Sequence, residues 1–184
     1  MLSLSITIFS SLLADHLKRA FKLDESIVSL QPLTEQNKAQ PSNKIHLFLV
    51  NVERETSGGI AFNQQTLPGG YYKSGAPSWQ LNLYVMLAAV FQEKQYEESL
   101  RLLSGTLSFL QSNNRFSLPG SDIKLAVEPV NLSFNELSNL WSICGGTYYP
   151  SIICKIRTLT IDEAEIQRMG RIVSGPDSAV KRRE

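Results

Sequence analysis

Two histidines, two cysteines and one glycine-rich stretch are the first residues of this 184-residue sequence to weigh for chemistry. A Ser-His-Asp relay would have to use His16 or His46, and no G-x-S-x-G elbow exists to present a serine. His16 falls at the edge of an apolar helical stripe, and His46 falls at the start of an apolar strand. Both read as structural. Cys144 and Cys154 have nine residues between them, which is neither a C-x-x-C redox pair nor a zinc pattern. They read as two buried free thiols in a reducing compartment. A disulfide from helix end to strand is the alternative. Gly69-Gly70-Tyr71-Tyr72-Lys73-Ser74 invites a phosphate-loop reading. It fails, because that loop needs Gly directly before the Lys and another Gly five residues ahead of it. No His/Cys/Asp/Glu cluster has metal-ligand spacing. The residues therefore imply no catalytic, cofactor-binding or metal site, and an expected function that is not enzymatic.

Lys155 and Arg157 sit two apart on a strand and so point to one side. They form either a solvated face or a basic patch for an acidic partner. The net charge is only +1, so no global field favours nucleic acid or an anionic membrane. Aromatic residues are not interleaved with basic ones in any stretch that would stack bases. Hydrophobic residues make up 42% and charged residues 19%, a globular balance with enough chain for one domain and a real core. The apolar start lacks a basic n-region, and no apolar run reaches the ~20 residues of a spanning helix. A cytoplasmic protein, or one released from there without a secretion signal, is expected.

The elements that must position these residues follow from periodicity. Leu4 to Phe21 predicts a helix with Phe9, Leu12, Leu13, His16 and Leu17 on one stripe. Ile27 to Leu30 predicts a short strand, and 31–44 a loop. Ile45 to Val52 predicts a central strand buried on both faces. Residues 53–78 carry Gly58, Gly59, Gly69, Gly70, Gly75, Pro68 and Pro77. They read as a flexible arm or hairpin that contacts a neighbour, or as a plain disordered loop. Trp79 to Phe91 predicts the longest strand, with Trp79, Leu81, Leu83, Val85 and Leu87 on one face. A short helix could claim its second half. Glu93 to Gln111 predicts a second long helix with a Tyr96, Leu100, Leu103, Leu107 and Leu110 stripe. Ile123 to Val130 alternates as an antiparallel strand.

Ser133 to Ile161 is the most structured stretch to the eye. Ser133 and Glu136 make a capping box, and Leu137, Leu140 and Trp141 share a helical face. Ser133 as a cap also explains the Asn131-Leu132-Ser133 triplet better than glycosylation does. Gly145 and Gly146 close that helix. Ile152, Cys154 and Ile156 then alternate with Ile153, Lys155 and Arg157. Residues 162–171 give a weak helix signal, and 175–184 a solvated tail. The order predicts an α/β (α+β) fold, with helices flanking a mixed, mostly antiparallel sheet.

Four segments in order resemble a known family. Leu2 to Leu17 resembles its opening helix. Ile45 to Glu53 resembles its first core strand, closing on an Asn-Val-Glu-Arg corner. Ala76 to Leu87 resembles its next strand, with Pro77, Leu83 and Tyr84 in place. Glu136, Leu137, Ser138, Leu140, Trp141, Tyr148, Pro150 and Ser151 resemble its most specific signature. The family is the cap, or tail-tube terminator, proteins of phage-tail-like contractile injection systems.

The resemblance implies a phage tail-terminator-like domain over 1–161 and a charged arm or tail over 162–184. It implies a hexameric ring that ends inner-tube growth and anchors the terminal sheath layer. The implied partners are other copies of the chain, tube protein and sheath protein. A tail or baseplate adaptor of related fold is the alternative. The interface candidates are Lys155, Arg157, Tyr71, Tyr72, Lys73, Arg168 and Arg171.

Overall fold

A computed structural model describes residues 2–33, 41–56, 64–67, 71–75, 79–120, 124–161 and 166–171. Helix α1 (Leu2–Phe21) comes first. Five strands follow: β1 (Val28–Leu30), β2 (Lys44–Arg54), β3 (Gln64–Leu67), β4 (Tyr71–Gly75) and β5 (Trp79–Val90). A turn of 3-10 helix, Glu93–Gln95, leads into α2 (Tyr96–Ser112). Then come β6 (Arg115–Ser117), β7 (Lys124–Pro129), α3 (Phe134–Ile143), β8 (Ser151–Ile161) and β9 (Ile166–Arg171).

Six strands form one sheet in the order β1-β2-β5-β8-β7-β6, and three form another in the order β3-β4-β9. Among the described residues, only the β1–β2 pairing is parallel. This is the mixed, mostly antiparallel sheet that the sequence predicts. Strand β5 stays extended to Val90, although Ala and Leu would also suit a helix there. It has β2 on one side and β8 on the other to satisfy its backbone groups.

The sheet separates two cores. On one face, Phe9, Leu13 and Leu17 of α1 and Leu102, Phe109 and Leu110 of α2 cover Leu83, Val85, Leu87 and Ile156. Each such side chain, fully buried, is worth roughly 1.5–3 kcal/mol. Leu12 sits beside this stripe and is exposed, a correction to the predicted face. His16 rests 5.2 Å from the Phe109 ring, at the stripe's edge as expected. On the other face, Phe48, Met86, Ala88 and Ile153 are covered by Trp141 and Tyr149. Cys154 belongs to the first core and Cys144 packs on the second, so the sheet stands between the two cysteines, which form no disulfide.

Helix α2 is rotated from its predicted orientation. Its buried side chains are Ser99, Leu102, Leu103, Thr106, Phe109 and Leu110. Tyr96, Leu100 and Leu107 are exposed instead. Close packing against α1 gives the reason. A Cβ at Gly105 would stand 2.5 Å from the Phe21 ring and 3.0 Å from Leu17. Burying Ser99 and Thr106 costs little, because their hydroxyls donate to Tyr96 O at 2.6 Å and Leu102 O at 3.0 Å.

Helix α3 begins and ends as its sequence dictates. The Glu136 amide donates to Ser133 Oγ at 3.3 Å, and the Ser133 amide donates to Glu136 Oε2 at 2.8 Å. At the other end Gly146 N donates to Trp141 O and Gly145 N to Ser142 O, a Schellman closure. The φ values of 95° and 81° at Gly145 and Gly146 require glycine.

Two further stretches differ from expectation or fall beyond it. Residues 166–171 are a strand and not a helix, because β4 offers them an antiparallel partner. Within 53–78, β3 and β4 pair as a hairpin, one of the two readings of that stretch. Ile123 and the tail 175–184 lie outside the described residues.

Candidate interaction surface

Strands β2, β5 and β8 run 11, 12 and 11 residues, well past the part that helix α3 covers. A register shift between Leu49 and Asn51 moves the polar residues of β2 onto the uncovered face. Asn51 then stands opposite Tyr84, and Tyr84 opposite Lys155. Glu128 of β7 stands opposite Lys155 on the other side. The result is a polar strip across four strands, on the face that turns apolar at Met86.

The groups on this strip are already partnered. Arg157 Nε donates to Glu128 Oε1 at 2.8 Å, and the guanidinium Nη2 closes an ion pair on the same oxygen. Lys155 Nζ lies 5.7 Å from the centre of the Tyr84 ring, a cation–π arrangement. Burial raises the Tyr84 phenol above its ordinary value, and the hydrogen bond and charge of Glu53 add to this. Asn51 Nδ2 donates to Glu53 at 3.3 Å, and Asn82 Nδ2 to Glu55 at 2.9 Å. Such a surface can recognise a partner by position and charge pairing. It presents no activated nucleophile.

The seven interface candidates fall into two groups. Lys155 and Arg157 lie on the strip. Tyr71, Tyr72 and Lys73 lie on β4, and Arg168 and Arg171 lie on β9. The register places Arg171 opposite Tyr71 and Arg168 opposite Ser74. Five residues separated by roughly a hundred positions in sequence are thus gathered on two adjacent strands. Periodicity could not show this, since it reports on one strand at a time.

Two concave surfaces escaped the sequence reading. Helix α3, Gly146 and Tyr148 bound a groove of about 400 Å³ lined by Phe134, Leu137, Trp141 and Tyr148. Phe134 is 92% exposed and Ile143 is 83% exposed. The signal was present for Ile143, which lies off the Leu137, Leu140 and Trp141 stripe. A second cleft of about 430 Å³ opens at the Phe91 end of the sheet and also uses Tyr148.

His46 is fully buried at the start of β2. Its Nε2 stands 2.7 Å from Ser42 Oγ and 3.4 Å from Gln31 Nε2. Nδ1 has no hydrogen-bond partner. Burial lowers the pKa of this imidazole, and the nearby charge of Lys44 adds to that. The Ser–His pair therefore lacks the third group that would orient a general base. It ties the chain before β2 to the chain after β1. Among the described residues, no group of three or more His, Cys, Asp or Glu could hold a metal ion. No described helix is long and apolar enough to cross a membrane.

Comparison with known proteins places this geometry. A family model described as the Pvc16 N-terminal domain matches residues 6–175. The structure is similar to the PVC sheath/tube terminator of an extracellular contractile injection system in its extended state. That match has a TM-score of 0.63 at 17% identity, over 94% of this chain and 62% of the other. It is also similar to the anti-feeding prophage cap, a tube terminating cap. Here the TM-score is 0.59 at 14% identity, over 92% of this chain and 58% of the other. At these identities the likeness is one of fold. The chain spans about three fifths of the length of the two structures it matches. No curated protein matches it.

Proposed function

The chain belongs to the Pvc16 N-terminal domain family, and from that premise we propose that it is a structural cap of a contractile injection system. In this role it closes into a ring of six copies at the end of the inner tube, stops tube growth and anchors the last sheath layer. The observation that carries the proposal is a fold shared with two terminator structures over more than nine tenths of the chain.

A closed ring needs two different surfaces of one chain to be complementary, so that each copy meets the next head to tail. The strip carrying Lys155 and Arg157 is one such surface. The strands carrying Tyr71, Tyr72, Lys73, Arg168 and Arg171 are another. Residues 162–184 act as an arm from the terminator-like body toward a neighbouring copy. The work is done by shape and pairing, with no bond made or broken. Assembly takes place in the cytoplasm, before any release of the particle.

Negative-stain microscopy of the purified chain tests this. Six-membered rings, alone or on the ends of tube protein, are the expected result. Particles that keep a uniform tube length after loss of this chain would overturn the proposal. Co-purification with baseplate in place of tube and sheath would favour an adaptor.

A further inference from the structure

We propose that His46 is an acid-released latch: a second proton on its ring undoes the ties to Gln31 and Ser42 and frees β1 from the edge of β2. The ring is fully buried. Gln31 Nε2 is an amide nitrogen and can only donate, so His46 Nε2 accepts and the single ring proton sits on Nδ1. The Ser42 hydroxyl donates to the same Nε2. A second proton must go to Nε2, where it faces an amide that cannot accept it. Ser42 Oγ can turn to accept that proton, but Nδ1–H then remains a charged donor without a partner. Buried charge left in this state is costly, and the chain relieves it by opening.

The surroundings do not offset the charge. Lys44, two positions back on the same face of β2, is the charged group that acts on the ring among the described residues, and it opposes a second cation. Tyr149 and Cys144, the titratable side chains of the core on that face, do not act on it. Its register partners, Ser29 of β1 and Ala88 of β5, are uncharged. Glu35 and Lys38 lie outside the described residues.

The two ties sit where β1 is weakest. Ile27 and Val28 pack on the first core, and three register pairs join β1 to β2. Gln31 follows β1 directly, and Ser42 stands two positions before β2. When both let go, β2 keeps its pairing with β5. Strand β2 already runs from Phe48 to Arg54 beyond β1, with no described strand on that side. Release lengthens this open edge, which can take an extended segment through main-chain hydrogen bonds.

The inference does not rest on the ring reading. Amide exchange of the full-length chain, read by NMR and corrected for the intrinsic effect of pH, tests it. The Ile45 amide donates to Ile27 O at 2.8 Å and reports on β1. It should open up to about tenfold more at pH 5.5 than at pH 7.5, the limit for one proton taken up by an imidazole of ordinary pKa in the open state. The Ala89 amide, opposite Ile45 and donating to Pro150 O, should not change. Both are read in the wild-type chain, so the test stands even where a variant fails to fold. H46Q should abolish the pH response at Ile45, and E35Q should leave it unaltered. An Ile45 amide indifferent to pH, a loss of protection shared with Ala89, a response that survives in H46Q, or one that changes in E35Q would each overturn the inference.

Discussion

Arg157 and Glu128 hold one another across β8 and β7, with Arg157 Nε 2.8 Å from Glu128 Oε1, although 29 positions separate them in sequence. The two side chains are 46% and 47% exposed. Solvent screens such a pair, so a double-mutant cycle with Arg157→Gln and Glu128→Gln should give a coupling of no more than about 1 kcal/mol in denaturant unfolding. The same substitutions should cost far more in ring formation if this strip meets a partner. Equal, small effects on both measurements would place the contacts elsewhere.

Ser133 and Glu136 satisfy each other's backbone amides at the start of α3. Ser133→Ala should therefore destabilise the chain by about 1 kcal/mol, read as a lower urea midpoint with an unchanged slope. The backbone and side-chain hydrogen bonds from Ser133 hold the Glu136 carboxyl below its ordinary value. A depressed carboxyl contributes stability above its unfolded pKa and loses it as pH falls through the folded value. Glu136→Gln, which cannot titrate, should flatten the acid limb of a stability-versus-pH profile below about pH 4.5, whereas Ser133→Ala keeps the backbone donor at position 133 and should flatten it less.

His46 has the opposite charge type and the same sense. Its imidazole is buried neutral, so its folded pKa lies below the ordinary value. Stability from the neutral form is complete above about pH 6.5 and declines as pH drops through the lower folded value. Urea midpoints of the wild-type chain should fall between pH 7.5 and pH 5. His46→Gln, which cannot titrate, should remove most of that difference while lowering stability at pH 7.5.

Gly105 fixes the approach of α2 to α1. Gly105→Val would put two methyl groups where a single Cβ already meets the Phe21 ring at 2.5 Å. A loss of about 1–3 kcal/mol in unfolding free energy is expected. Gly105→Val with Phe21→Ala should recover part of it, and no recovery would locate the strain elsewhere.

Burial pushes the Cys154 thiol up to about 12. At pH 8 it has almost no thiolate and no access to reagent. In a Cys144→Ser variant the folded chain should give no reaction with an aromatic disulfide reagent over minutes, and one equivalent in urea. Fast labelling of the folded variant would mean that β8 opens locally.

The sequence by itself determined the features whose physics is local. The cap formed by Ser133 and Glu136, the glycine closure at Gly145 and Gly146, and the alternation from Ile152 to Arg157 all lie within a few residues of chain. Hydrogen bonds to the third or fourth neighbour and a period of two residues are enough to fix them. The polar strip was half legible, since Lys155 and Arg157 had to share a face. Their partners Tyr84 and Glu128 come from other strands and could not be read. Tertiary structure decided how α2 turns about its axis, because the approach at Gly105 outweighs the burial of Leu100 and Leu107. It also decided that residues 166–171 extend beside β4, since a strand edge far away in sequence supplies the hydrogen bonds that a weak helix would have made with itself.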